Sequence, residues 1–231
     1  MKYLKYLLLI IYIGFLASCN SILEENPKDF VGPQEFYQNR NQCISGINGA
    51  YIPLNSIYNQ TLMIITEATT DLAFLNSSSV DAKLELSPSS PGNGQTIWSN
   101  CYKGVMRCNA VYNGIQKAPI EAEEKKDLIG EIVTLRALYY YVLTSTFLQS
   151  YKTDVTSSFD ILDQITTLPR MSAKEPRSYL ISELLENVPF LEHKRTVDIE
   201  GNRIAAPVAY MIIAKMAMWN KEYEIASESL S

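Results

Sequence analysis

The stretch EEKKDLIGEIVTLRALYYYVLTSTF, residues 123–147, decides the fold class. Leu128, Ile132, Leu135, Tyr139 and Val142 recur three and four positions apart, and Ile129, Val133, Tyr140, Leu143 and Phe147 make a second stripe beside them. Together they give a helix whose apolar face is too wide for one neighbour, so it must be sandwiched between others. Tyr139, Tyr140 and Tyr141 step about 100° each around the axis, and at least one has to reach a polar partner or solvent. Arg136 interrupts the face and, once buried, needs a carboxylate. Asp71 and Glu67 are the candidates, with a structural pair to Asp71 preferred.

Helical periodicity extends in both directions. Upstream, Trp98, Tyr102, Val105, Cys108, Val111, Tyr112 and Ile115 predict a helix over Trp98 to Gln116, closed by Pro119. From Pro33 to Tyr51, the residues Cys43, Ile44, Ile47, Ala50 and Tyr51 keep the same period, with Gly46 and Gly49 on or beside that face. Glycines cost a helix about 1 kcal/mol each, so here they point to another helix at close approach. Residues 61–75 read as helical or partly helical, and 76–96, with Pro88, Pro91, Gly92 and Gly94, as a long loop. Downstream, a helix over Pro176 to Leu191 turns Leu180, Leu184, Leu185 and Val188 inward. Ser172 and Glu175 have capping-box spacing, but Pro176 favours a start at the proline. Ala205 to Leu230 resembles one tetratricopeptide unit, with small residues where two helices touch and Tyr223 packing in the repeat. The fold class is therefore all-α, a tetratricopeptide-like helical-repeat scaffold with long irregular loops.

The N-terminus carries a different signal. Lys2 and Lys5 flank a start that runs into an apolar stretch and ends in Leu16-Ala17-Ser18-Cys19, the parts of a secretory signal peptide. Counted from Tyr6 to Ala17, the apolar stretch is shorter than the roughly 20 residues a membrane helix needs. Leu-Ala-Ser-Cys resembles a bacterial lipobox, which makes Cys19 the lipid-attachment residue; the alternative is an ordinary leader whose cleavage site contains a cysteine. Two or more acyl chains, at about 0.8 kcal/mol per buried methylene, anchor a domain stably. The expected organisation is a signal peptide over 1–18, a lipidated tether over 19–32 and a helical domain over 33–231.

Charge and composition exclude several classes. Removing residues 1–18 takes two lysines and no acids, leaving 18 basic against 25 acidic groups and a formal charge of −7. Such a chain lacks the basic cluster a nucleic-acid backbone requires. One histidine, His193, rules out His-rich metal sites, and neither a metal nor a cofactor is expected. Cys43, Cys101 and Cys108 are an odd number, so at least one stays unpaired within the chain; on one helix Cys101 and Cys108 would lie about 10.5 Å apart, too far to bridge. A Cys43 bridge to either remains open, and burial as small apolar side chains is the plainer reading.

In order along the chain come the lipobox, Leu23 to Pro27, Pro33-Gln34-Glu35-Phe36-Tyr37, Ile47-Asn48-Gly49-Ala50-Tyr51, Trp98, Tyr102, Asn109, Leu135-Arg136-Ala137-Leu138-Tyr139-Tyr140 and Leu168-Pro169-Arg170. This succession resembles the SusD/RagB outer-membrane lipoproteins over essentially the whole mature chain. Two departures stand out. Leu148-Gln149-Ser150-Tyr151 replaces the family's usual Gly and Pro turn, and the chain stops inside an apparent repeat, as the N-terminal part of a longer member would.

The resemblance implies a surface lipoprotein that captures an oligosaccharide or other nutrient and passes it to a TonB-dependent, SusC-like transporter, without catalysis. Sugar capture needs aromatic faces for pyranose rings and carboxylates, amides or guanidinium groups for hydroxyls. Trp98, Asn100 and Asp71 are the ligand-binding candidates. Each has a structural alternative: packing for Trp98, a helix cap for Asn100, the Arg136 pair for Asp71. Two rival functions are a protein-interaction scaffold using the concave face of stacked helix pairs, and a hydrolase with paired carboxylates drawn from Glu67 and Asp71 or from Glu121, Glu123 and Glu124. Acids at helical spacing more often line a solvated face.

Overall fold

The computed structural model describes residues 36–73, 79–157, 167–195 and 203–231. The signal peptide, Cys19 and the tether therefore lie outside the described residues, as does the Pro33–Glu35 start of the first expected helix. Helices α1 (Arg40–Tyr58), α2 (Gln60–Thr66), α3 (Asn93–Lys117), α4 (Ala122–Phe147), α5 (Lys174–Asn187), α6 (Ala206–Asn220) and α7 (Tyr223–Glu228) follow in order, with a 3-10 turn at Val188–Phe190. Strands among the described residues amount to one two-residue antiparallel pair, β1 (Gln149–Ser150) against β2 (Met171–Ser172). The long helices stack serially, α1 on α3, α3 on α4, α4 on α5 and α5 on α6, with α7 folded back on α6. This is the nearest-neighbour packing of a helical repeat, and the all-α expectation holds.

Helix α4 is the sandwiched element: it touches α1, α3, α5 and α6. Its first stripe is buried throughout, and Ile129 and Phe147 of the second are half-buried against the same core. The three tyrosines part as their 100° steps require. Tyr139 donates to the Ala50 carbonyl at 2.7 Å, Tyr140 to the Tyr151 carbonyl at 3.2 Å, and half-buried Tyr141 lies under the Lys215 ammonium. Leu148, left-handed at φ 57°, ends the helix and turns the chain into β1.

Helix α1 differs from the sequence expectation at both ends. It starts at Arg40, where Asn39 caps it by accepting from the Gln42 N–H at 3.0 Å, and it runs through Pro53 to Tyr58. A proline inside a helix strands the carbonyl four residues earlier, here Gly49. Arg107 of α3 donates to that carbonyl at 2.8 Å, so the helix continues. The two glycines of α1 do not face a helix backbone: a Cβ on Gly46 would meet the Tyr37 ring at 2.9 Å, and one on Gly49 would stand in open space. The close approaches are on α3, where Gly104 lies under the Tyr139 ring and Gly114 under the Tyr37 ring.

Helix α3 begins five residues before Trp98 because a buried loop carboxylate caps it. Both oxygens of Asp81 accept from the Asn93 N–H at 3.1 Å, and Gly92 at φ 59° brings the chain against that side chain. The part of the 76–96 loop described here is thus turn and cap rather than a free insertion. Helix α5 likewise starts at Lys174, two residues ahead of Pro176, which sits in the first turn where its missing N–H costs nothing. Ser172 and Glu175 do hydrogen-bond, side chain to side chain at 3.1 Å. Leu185 was expected inward but is 44% exposed, since it lies one 100° step from buried Leu184. Tyr223 does not pack in the repeat; it is 65% exposed. The turn is closed instead by backbone, with Lys221 left-handed and the Glu222 N–H donating to the Ala217 carbonyl at 2.8 Å.

Between the 3-10 turn and α6, ionic pairs fasten the chain to α4. Arg195 donates to Asp127 at 2.9 Å, and Arg203 donates to both oxygens of fully buried Glu131, whose Oε1 also accepts from the Tyr51 hydroxyl at 2.7 Å. The same hydroxyl accepts from the Ile204 N–H at 2.9 Å. Cys43, Cys101 and Cys108 are buried free thiols.

Two outcomes follow for stability in urea. Gly104→Ala should cost about 1–3 kcal/mol by driving a methyl into the Tyr139 ring, whereas Gly49→Ala should gain about 0.5–1 kcal/mol. Burial pushes the Cys101 thiol from 9.0 up to about 12. The folded state then favours the protonated thiol, so this contribution is intact below pH 9 and is lost as pH rises toward 12. Between pH 7 and pH 10 the chain should lose about 1 kcal/mol more than a Cys101→Ala variant does.

Candidate functional site

A polar hollow of about 320 Å³ lies between α3, α4 and α5, and the 152–154 segment forms one wall. Arg136 organises it. Leaving the apolar face of α4, its guanidinium donates to Asn109 Oδ1 of α3 at 2.9 Å and to Glu183 Oε1 of α5 at 2.5 Å. Asn109 in turn donates to the Thr153 and Val155 carbonyls at 3.0 and 3.1 Å, which fixes the wall segment. Burial disfavours the Arg136 charge, but the field of Glu183 and its hydrogen bond outweigh that and hold the pKa above its usual value. The Tyr112 ring lies against the guanidinium, and at the mouth the Lys152 ammonium sits 3.5 Å from the centre of the Tyr179 ring. Glu183 Oε2 is buried and has no hydrogen-bond partner.

A second, smaller hollow of about 210 Å³ gathers around Trp98. The indole meets Phe147 edge-on with ring centres 5.0 Å apart, and Tyr102 and Tyr151 at 5.1 and 6.1 Å. Arg170 closes the side by donating to the Tyr151 hydroxyl at 2.8 Å. Trp98 is half-buried, so part of its face is packing and part lines the hollow.

The three expected ligand residues sit in different settings. Asn100 lies inside α3, not at its start, and its amide donates to the Thr96 carbonyl at 2.9 Å, so it is no helix cap. Asp71 is exposed on the turns after α2, and Arg136 pairs with Glu183 in its place. The three residues share no hydrogen bond among the described residues. The proposed hydrolase carboxylates Glu67, Glu121, Glu123 and Glu124 are exposed, with Glu123 salt-bridged to Lys126 at 2.8 Å. Among the described residues no three of His, Cys, Asp and Glu gather as a metal site, and no helix is long and apolar enough to cross a membrane. Glu183, Asn109 and Lys152 were not singled out from sequence as site residues. The sequence does signal that Arg136 needs an acid, but the acid lies 47 positions later on a different helix.

Stacked helices with small polar and aromatic hollows between them make a scaffold of the helical-repeat class. More specifically, residues 23–205 match the family model described as SusD-like, starch-binding associating with outer membrane, and the chain belongs to that family. It is similar to a SusD-like protein of Formosa agariphila, 25% identical over 97% of this chain and 44% of that protein. Among solved structures, a SusD-like protein from Bacteroides fragilis matches with a TM-score of 0.69 at 23% identity, over 89% of this chain and 40% of that one. A laminarin-binding SusD-like protein matches at 0.73 and 18% identity, over 84% and 43%. The chain thus spans less than half the length of these relatives.

Glu183→Ala should destabilise the chain by about 3 kcal/mol in urea, because it strands the Arg136 charge. The double variant Arg136→Met with Glu183→Leu should recover most of that loss.

Proposed function

We propose that the chain belongs to a cell-surface lipoprotein that captures glycans and passes them to a TonB-dependent transporter of the outer membrane, with Cys19 acylated after removal of residues 1–18 and 19–32 serving as tether. The observation that carries this reading is the family match over residues 23–205, whose description couples starch binding to the outer membrane. The laminarin-binding neighbour supports a glycan as cargo, and the partly uncovered indole of Trp98 supplies the kind of face on which a pyranose ring packs. The role is capture without chemistry, and the solvent-exposed placing of Glu67, Asp71, Glu121, Glu123 and Glu124 supports that reading. Asn100 and Asp71 remain proposed peripheral contacts on exposed or half-buried surface.

One observation favours an interaction scaffold as second reading. Val208, Met211, Met218 and Trp219 of α6, Tyr223 of α7 and Leu230 just after it are large apolar side chains left exposed, and exposed apolar patches are of the kind that marks protein contacts.

A glycan array with the purified full chain should give saccharide binding that weakens at least tenfold in Trp98→Ala. Absence of any saccharide affinity, together with co-purification of a barrel transporter, would replace capture by the scaffold reading.

A further inference from the structure

We propose that the groove between α4, α6 and the start of α7 is a docking surface for an acidic segment of a partner protein, one that carries a large apolar side chain among its carboxylates. The inference rests on the interaction-scaffold reading, and adds the place of contact and the chemistry of the partner.

The groove has a volume of about 490 Å³ and is lined by Tyr141, Lys215, Met218, Trp219, Lys221 and Tyr223. Its apolar part faces solvent, with Met218 47% exposed, Trp219 51% and Tyr223 65%. Aromatic residues and methionine are the side chains that protein interfaces favour, and methionine adapts to partners of differing shape. The setting has a local cause. Lys221 is left-handed and its N–H donates to the Met218 carbonyl at 3.1 Å, so the chain reverses straight after Trp219 and Asn220 and brings Tyr223 back beside α6.

Charge decides the partner. Lys215 and Lys221 are the ionised groups of the lining, and no carboxylate is among them; Glu222 and Glu224 flank Tyr223 in sequence but do not line the groove. Against the Trp219 ring lies a third cation, the Arg177 guanidinium of α5, 5.0 Å from the ring centre. Arg177 is 4% exposed and donates to the Thr144 hydroxyl at 3.1 Å and the Thr144 carbonyl at 2.8 Å, both neutral acceptors. Arg136, Arg195 and Arg203 each meet a carboxylate, whereas among the described residues none pairs with Arg177. Burial pulls its pKa below the usual arginine value, only partly opposed by Tyr141. A buried cation without a counter-charge is costly. Three cations on and behind one groove make its field positive, in a chain whose formal net charge is −5. Carboxylates on a partner answer that field, and a basic partner is repelled. The Met218 side chain favours a peptide over an anionic polysaccharide, because it offers a sugar neither a flat ring nor a strong hydrogen-bond partner but packs well on an apolar side chain.

Fluorescence anisotropy on the full chain tests the groove with three labelled peptides: one with leucine and phenylalanine set among aspartates and glutamates, one with lysines in place of the acids, and one with alanines in place of the apolar pair. The first should bind, and the other two should bind at least tenfold more weakly. Its affinity should fall about tenfold or more as salt rises from about 50 mM to about 500 mM. Lys215→Glu with Lys221→Glu should weaken it at least tenfold, and both sites are exposed, so this variant folds; Lys215→Arg with Lys221→Arg should keep it. Trp219→Ala should also weaken it tenfold or more. No binding of the acidic peptide, or binding unchanged in the double charge reversal, overturns the proposal. So does equal binding of the alanine peptide and of polygalacturonate, which would reduce the groove to a surface that attracts any anion. A concentration-dependent dimer of the chain that the charge reversal dissolves, with no peptide bound, would make the occupant a second copy and overturn the proposal too. If a barrel transporter co-purifies equally with the native chain and the charge-reversed one, the scaffold reading stands and this groove falls. Lysine-dependent peptide binding without any co-purifying transporter would keep the groove and remove the transporter as the scaffold's partner.

Discussion

A fully buried carboxylate in the middle of the central helix constrains much of what surrounds it. Glu131 stands in α4 with no water contact, and an ionised acid there is tolerated only with complete pairing. Its partners come from far apart in sequence: the Tyr51 hydroxyl from α1, Arg203 from the entry to α6, and Arg195 within 3.7 Å. Meeting that demand fixes how α1 lies on α4 and where the chain must arrive before α6 begins. Burying such a group adds little net stability on average, but it makes other registers of these elements expensive. The neighbouring Asp127 to Arg195 pair extends the same fastening by one turn of α4.

Arg136 does the equivalent job on another side of the helix, and the contrast is informative. Glu131 has both oxygens occupied. The Arg136 to Glu183 pair leaves one carboxylate oxygen unmet and opens on a cavity. The two ionic centres lie five positions apart on one helix, yet the first is enclosed and the second borders a cavity.

The helical architecture was legible because α4 carries its burial pattern openly: two adjacent stripes of large apolar residues leave no alternative to a sandwiched helix. The need for an acid beside Arg136 was legible too, but not its address, since nothing local links position 136 to 183. Long-range polar rescue explains the other departures. A reading from local preference ends α1 before Pro53; the structure continues because Arg107, 58 positions away from Gly49, takes up the stranded carbonyl. Asp81 caps α3 from twelve positions before Asn93, so the obvious nearby candidate, Asn100, is left inside the helix. The tetratricopeptide pattern puts Tyr223 in the repeat, but a backbone turn at Lys221 does the closing and leaves the ring to solvent. Of the site, Trp98 was visible as an aromatic at a helix edge, whereas its companions come to it from elsewhere in the chain, Phe147 from the end of α4 and Tyr151 from beyond the turn at Leu148.

The chain has two tryptophans, and their settings differ sharply. Trp98 is ringed by three aromatic side chains beside one hollow, while Trp219 is half exposed on α6 beneath the guanidinium of Arg177. Their emission should therefore separate into a blue, shielded component and a red, quenchable one, giving built-in optical reporters on two separate helices, α3 and α6, without any label.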